Sequence, residues 1–430
     1  MTEMEGLKGF YDRYPDEWAS WRALIDTVEE TAREFGFNEI NAPAVERADL
    51  YRVKSGEEMM EQMFNFEDKG GREVSLVPEQ TPTRARMVQS RKDLSTPIKW
   101  FDTSKRWRYE EVQRGRDREF FQTDFDIIGA ESVYADAEVV ACAAEIYRKL
   151  GVDDRVDFLV NDRRLLESVL ESLGVDNTDE VMRQVIDDRE KMNREEFVRE
   201  LADSGLDHGT AEEVAEITDI SGPILETLEE LEDLAPDGAA DSVERMHDLA
   251  EALESMGSAD MVQLDMSIVR GFAYYTGLVF EAFDAEGELR ALFGGGRYDT
   301  LIGMFGSDQK AAVGFGFGYS TTMELLREEE MLPLAEPGPD AYVLPVNDEV
   351  RTEALDLVRE LRSKGLSVET DLKDRNVGNQ ISYADSSGAR HTLILGPEEL
   401  EDGTVSVKDM VSGEERQVDR TDVLDVLSTD

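Results

Sequence analysis

Five arginines fall within thirteen residues, Arg106, Arg108, Arg114, Arg116 and Arg118, in a chain whose formal net charge is −51. Positive charge gathered against such a background calls for an anionic partner, and the planar N–H fork of a guanidinium suits phosphate. The stretch around them, WRYEEVQRGRDREFFQTDFDIIG from Trp107 to Gly129, has hydrophobic runs on both sides of a charged, glycine-containing middle. That pattern predicts strand–loop–strand, a hairpin able to hold a nucleotide. Arg108 and Glu110 stand where the first strand ends. The arginine can reach an α-phosphate, and the carboxylate can accept from an adenine amino group or hold a metal. Phe120 and Phe121 open the return strand, where either can stack on a purine. An exposed hairpin with surface Arg–Glu pairs and core aromatics is the plainer alternative.

Three more segments carry suitable side chains. Glu79-Gln80-Thr81 lies between a predicted strand and a predicted helix. Such a Glu can bind an α-ammonium group and the Thr hydroxyl can add a hydrogen bond, although helix capping is the commoner use of these residues. Ser267 to Glu281, SIVRGFAYYTGLVFE, sets Arg270 and Gly271 ahead of the adjacent Tyr274 and Tyr275. Read as a strand, it turns one tyrosine to a core and the other to a pocket. Gly294-Gly295-Gly296-Arg297-Tyr298-Asp299 lets another group approach the backbone closely. GFGFG at 314–318 lacks the GxGxxG spacing, so a dinucleotide fold is set aside. His208, His247 and His391 form no ligand spacing, and without CxxC or HExxH no zinc site is expected.

The elements that must position these groups alternate in type. Trp18 to Phe37 has helical periodicity and leads into the strand-like NEINAPAVE, and residues 50–68 read as a charged helix and turn. Strands are expected at 73–78, 98–101 and 156–161, and helices at 83–90 and 136–150. From about 163 to 255 the texture is helical and acidic, an insertion. Strand patterns resume at 266–283, 289–293 and 311–317, followed by a helix near 321–329. MLPLAEPGPD at 331–340 is a linker, and 341–430 alternates as a compact α/β domain.

Composition bounds the class. Acidic residues number 97 against 46 basic ones across 430 residues, spread along the chain. With 40% hydrophobic residues the chain is globular, and the acidity points to a cytoplasm holding molar salt, where the Debye length falls to about 3 Å. No apolar run approaches the ~18 residues of a membrane span. The N-terminus lacks the features of a secretory signal, and the single Cys142 fits a reducing, cytoplasmic setting.

Together the segments resemble the histidyl-tRNA synthetases, a class II family. GFNEINAPAVE resembles motif 1, the dimer-forming helix and strand; the Arg-rich hairpin resembles motif 2; RGFAYYTGLVFE and GGGRYD resemble the two histidine-specific motifs; AAVGFGFG with its helix resembles motif 3. The last domain, with YADSSGARHTLILG and VSVKDM, resembles the family's anticodon-binding domain. The resemblance implies an α+β fold: a catalytic domain with an antiparallel sheet flanked by helices (1–165 and 256–330), the helical insertion 166–255, the linker 331–340 and the anticodon-binding domain 341–430. It implies activation of L-histidine by ATP, with Mg²⁺ on the phosphates, and transfer to the 3′ end of tRNA(His) by a homodimer. By resemblance, Arg108 and Arg270 are catalytic and clasp the α-phosphate. Glu79, Gln80, Thr81, Arg108, Gln122, Asp126, Arg270, Tyr274 and Tyr275 serve histidine; Arg108, Glu110, Arg116, Arg118 and Phe120 serve ATP. The insertion is expected to contact tRNA. A non-catalytic histidine-binding paralogue regulating histidine biosynthesis is the alternative.

Three positions depart from the bacterial pattern. Ala273 stands for an Asp in the tyrosine motif, and Asp126 for a Glu one methylene longer. Ser320 and Thr321 lie where the motif 3 arginine is expected, leaving Arg116, Arg290 and Arg297 as open candidates for its work.

Overall fold

The computed structural model describes residues 5–52, 60–269, 274–287, 289–332 and 338–427, without the side chains of 183, 184 and 190. Two compact units emerge, one gathering Met1–Asp12 and Trp21–Pro333, the other Arg13–Ser20 and Leu334–Asp430.

The strands of the larger unit are β1 Asn38–Glu39, β2 Val45–Arg47, β3 Asn65–Glu67, β4 Glu73–Leu76, β5 Ile98–Trp107, β6 Glu119–Ile128, β7 Val156–Asp162, β8 Ser221–Pro223, β9 Val262–Asp265, β10 Leu278–Asp284, β11 Phe293–Arg297 and β12 Ala312–Gly318. Among the described residues nine of them form one largely antiparallel sheet, ordered β1-β5-β6-β12-β11-β10-β7-β9-β8, and β2, β4 and β3 form a small sheet of their own. The α+β expectation holds.

The Arg-rich hairpin is β5 and β6, paired antiparallel from Ile98 opposite Ile128 to Trp107 opposite Glu119. It is longer than expected: the strand expected at 98–101 runs on to Trp107 as the first arm of the hairpin. Alternation explains the extension, since every second residue shares a face. Asp102, Ser104 and Arg106 on β5 lie with Gln122, Asp124 and Asp126 on β6, and Gly314, Gly316 and Gly318 of β12 stand opposite them. The reverse face carries the aromatic packing. There Phe125 stacks on Phe315 at 4.4 Å and meets Phe37 edge-on at 5.4 Å. Helix Val133–Leu150 packs behind this sheet, capped by the Ser132 side chain and stopped by Gly151 at φ 72°. Cys142 is fully buried within it.

Several expected boundaries moved. Tyr274–Gly277 precedes the strand, which starts only at Leu278, so the strand reading of Met266 to Phe283 is corrected. Of the stretch expected as helix and turn, 50–52 and 60–61 are helical, a short strand, β3, stands at its end, and 53–59 lie outside the described residues. Within 163–255, helices Arg163–Ser172, Thr178–Gln184, Arg194–Asp203, His208–Thr218, Ile224–Leu234 and Ala240–Ser255 are interrupted by β8, which adds to the sheet edge through β9. Three residues ending in Pro223 carry no strand periodicity, which hid it.

In the smaller unit β13 Ala341–Pro345, β14 Val368–Thr370, β15 His391–Leu395, β16 Thr404–Asp409 and β17 Glu415–Asp419 are ordered β14-β13-β15-β16-β17. β13 is buried throughout. Ala341 and Val343 pack with helix Arg351–Ser363, while Tyr342 and Leu344 pack with helix Val377–Ser386. An apolar run of five is what a strand covered on both faces requires. β17, ERQVD, is an edge strand too polar to be anticipated.

Candidate active site

A cavity of about 660 Å³ opens over the polar face of β6 and β12. Glu79, Thr81, Arg108, Glu110, Arg116, Phe120, Gln122, Asp126, Tyr274 and Tyr275 all line it. Its floor exists because β12 lacks side chains there. A Cβ at Gly314 would collide with the Asp126 carboxylate, and one at Gly316 with the Gln122 amide. At Gly296 a Cβ would meet the Tyr275 ring at 3.0 Å.

Beneath the floor lies a buried charge network. Asp102 and Asp124 sit directly opposite each other across β5 and β6, an unfavourable like-charge pair. Arg106 bridges them, bonding both carboxylates. Arg84, from helix Thr81–Ser90, bonds Asp102, Asp126 and, at 2.9 Å, the Asp124 carbonyl. Tyr298 donates to the other oxygen of Asp126. Three carboxylates against two guanidiniums leave a formal charge of −1, and the buried Glu79 carboxyl adds to it. This end of the cavity therefore favours a cation or an N–H donor. Gln122 Nε2 donates to Asp124 at 2.6 Å, which leaves the amide oxygen as an acceptor. The Tyr274 and Tyr275 rings stand 4.8 Å apart. Burial raises both hydroxyls above their ordinary range, so both remain protonated donors.

Burial pushes the Asp102 carboxyl up, but the Arg84 and Arg106 guanidiniums outweigh it and hold the group below its ordinary value. The stability that Asp102 contributes is thus complete above the unfolded value of about 4 and lost as pH falls through the lower folded one. Urea midpoints should hold from neutrality to about pH 5 and drop below about pH 4, and Asp102→Asn should flatten that acid limb.

Guanidinium groups line the same cavity. Arg108 donates from Nε to the Pro78 carbonyl at 3.1 Å and lies over the Phe120 ring at 5.2 Å. No carboxylate among the described residues pairs with it. Arg116 is bonded to Glu110, joining two of the residues expected to serve ATP. A cavity that brings carboxylates, protonated hydroxyls and guanidiniums together can hold a zwitterion beside a phosphate.

The sequence model of histidyl-tRNA synthetase matches residues 9–321, and that of an anticodon binding domain matches 340–430. A histidine–tRNA ligase of Natronomonas pharaonis is 45% identical over 96% of this chain and 95% of that protein. The chain belongs to the histidyl-tRNA synthetase family. Its Pyrococcus furiosus relative is 36% identical over 99% of this chain and 98% of that one. The crystal structure of the histidyl-tRNA synthetase from Nostoc sp. superposes with a TM-score of 0.87 at 25% identity, covering 99% of both chains. The fold is therefore that of a class II synthetase.

Within this family fold, some expected site residues stand apart. Arg270 lies outside the described residues. Gln80 is buried at the N-cap position of helix Thr81–Ser90 and does not line the cavity. Arg118 turns away: its Nε donates to the Glu110 carbonyl at 3.0 Å and its guanidinium covers the Tyr109 ring at 4.0 Å. Arg297 is excluded as a ligand group, being fully buried and bonded to Asp136 at 2.8 Å and Asp299 at 3.1 Å. Tyr274 and Tyr275 both face the cavity, since no strand forces them apart.

Sequence reasoning missed Arg84, Asp102 and Asp124, and it counted Arg106 among the arginines awaiting an anionic partner, whereas Arg106 is buried against Asp102 and Asp124. A signal was present. Arg84 falls in the buried stripe of its helix with Ala85 and Val88, where an uncompensated charge is not tolerated. Asp124 shares strand parity with Gln122 and Asp126.

Proposed function

We infer that this cavity is where the chain, a histidine–tRNA ligase, activates L-histidine with ATP and passes the histidyl group to the 3′ end of tRNA(His). The observation that carries the reading is the meeting of Arg108, Gln122, Asp126 and Tyr275 around one space. The α-ammonium group would sit against Glu79, Thr81 and the Gln122 oxygen. Asp126 keeps lone pairs beyond those used by Arg84 and Tyr298, so it can accept from an imidazole N–H. A Tyr275 hydroxyl would donate to the other ring nitrogen, beside Tyr274. Sites built on such paired hydrogen bonds reject substrates lacking them by roughly 10⁴–10⁵, so no editing domain is needed.

A carboxylate oxygen of histidine attacks the α-phosphorus, and pyrophosphate leaves. Then a ribose hydroxyl of the tRNA terminus attacks the acyl carbon, and AMP leaves. Positioning and charge stabilisation do most of this work. Arg108 neutralises the α-phosphate, with Arg270 as its proposed partner on the other side. Glu110, Arg116 and Phe120 face the nucleotide, which arrives as its Mg²⁺ complex. The regulatory-paralogue reading is not favoured, because residues 340–430 match an anticodon binding domain and Arg108 is in place.

We further propose a homodimer through the motif 1 segment, tRNA contact by 166–255, and a cytoplasmic working medium of molar salt. Among the described residues no helix is long and apolar enough to cross a membrane. Histidine-dependent ATP–pyrophosphate exchange in molar KCl, with Arg270→Ala as control, tests the reading; no exchange with histidine would refute it. Counterion release gains little when salt is already molar. Affinity for tRNA should therefore change little between about 1 and about 3 M KCl, and a steep loss in a filter-binding titration would contradict adaptation to that medium.

A further inference from the structure

A triphosphate carries more negative charge than Arg108 alone can offset, and the cavity is poor in cations. Among the described residues its lining includes six carboxylates, Glu79, Glu110, Asp117, Asp124, Asp126 and Glu281, against Arg108, Arg116 and Arg290. Arg116 is already bonded to Glu110. Nearby Arg114 is drawn off the cavity by Glu324 at 2.8 Å and Glu328 at 2.5 Å. Arg290 is exposed on the cavity wall, and no carboxylate among the described residues forms an ion pair with it.

The backbone two residues beyond it, at Leu292, is held in place. Arg290 stands in the connection from β10 to β11, where Leu292 N donates to the Ala282 carbonyl at 2.7 Å. The Leu292 carbonyl in turn accepts from Thr321 Oγ1 at 2.7 Å. On another side of Thr321 is the hairpin loop: a Cβ at Gly115 would meet the Thr321 methyl at 2.8 Å. Thr321 is thus flanked by Leu292 and Gly115, and their near neighbours Arg290 and Arg116 enter the cavity from these two approaches. Ser320 and Thr321 are small enough to let both loops come close. A long side chain at 321 would occupy the room that they share.

We propose that Arg290 holds the β- and γ-phosphates of the nucleotide, a cation on the β10–β11 connection serving where the helix after β12 presents Tyr319, Ser320 and Thr321 to the cavity and no cation. This rests on reading the cavity as the ATP site. Its guanidinium offers the two parallel donors that a phosphate accepts. Arg290 is a phosphate-binding residue, with no role toward histidine.

The test uses the full chain in molar KCl, comparing wild type, Arg290→Ala and Arg290→Lys. Two readouts are needed: ATP–pyrophosphate exchange, and binding of a non-hydrolysable histidyl-adenylate analogue, which has no β- or γ-phosphate. Arg290→Ala should raise KM for ATP about 10- to 100-fold, leave KM for histidine within about twofold, and leave the analogue's Kd unchanged. Arg290→Lys should recover part of the loss. An unchanged KM for ATP would overturn the proposal. So would equal weakening of ATP and the analogue, since that would make Arg290 a prop for the loop. If the wild-type chain neither exchanges nor binds the analogue, the site reading itself falls, and the role of Arg290 with it.

Discussion

Replacing Arg108 with alanine is expected to lower kcat/KM for histidine-dependent exchange about a thousand-fold while the protein stays folded. The two halves of that expectation come from different contacts. In the folded chain Arg108 makes one bond to the Pro78 carbonyl and one face contact with Phe120, at the wall of a solvent-filled cavity. Losing them costs about 1–2 kcal/mol, so the thermal midpoint should fall by only a few degrees. On the proposed function, its remaining N–H groups face the α-phosphate oxygens, which gain charge as the histidine carboxylate attacks. Removing one such preorganised donor typically costs 10²–10³ in rate. Arg108→Lys keeps the charge and loses the fork, so it should recover only a small part. Exchange within about tenfold of wild type in Arg108→Ala would remove this residue from the α-phosphate.

What the sequence made legible was the chemistry that stands out against its background. The hairpin was readable because arginines are conspicuous in so acidic a chain and because apolar runs bracket them. Glu79, Gln122, Asp126 and Tyr275 were nameable from the motifs, and the fold gathers them. The supporting shell was not readable. Arg84 looks like any surface arginine in a string of letters, Arg106 looks like its neighbours in the hairpin, and only strand register reveals that Asp102 faces Asp124. Pairing partners 18 to 42 residues apart are set by tertiary structure, not by local pattern. The same limit explains why Arg116, Arg290 and Arg297 could not be ranked. Their difference lies in whether a carboxylate is already there, as Asp136 is for Arg297 and Glu110 for Arg116.

That hidden shell carries the second large effect. Arg84→Met is expected to destabilise the larger unit by about 3–5 kcal/mol, the usual consequence of removing one partner from a buried ion pair. Arg84 is almost fully buried and serves two carboxylates and one carbonyl. Without it, Asp126 retains Tyr298 alone among the described residues, and Asp102 keeps Ser104 and shares Arg106 with Asp124 directly across the strand pair. Two features separate this from loss of packing. Buried charges are poorly screened, so added KCl should not restore the variant, whereas Arg91→Ala, which breaks an exposed pair with Asp93, should leave the midpoint unchanged in any salt. Acid should narrow the gap, because in the wild type Arg84 helps to hold Asp102 ionised, and in the variant that carboxyl protonates more readily and ceases to repel Asp124. Urea melts of both proteins at neutral pH and near pH 4 decide it: a loss under about 1 kcal/mol at neutrality, or a gap that widens in acid, would mean that the floor of the site does not depend on this arginine.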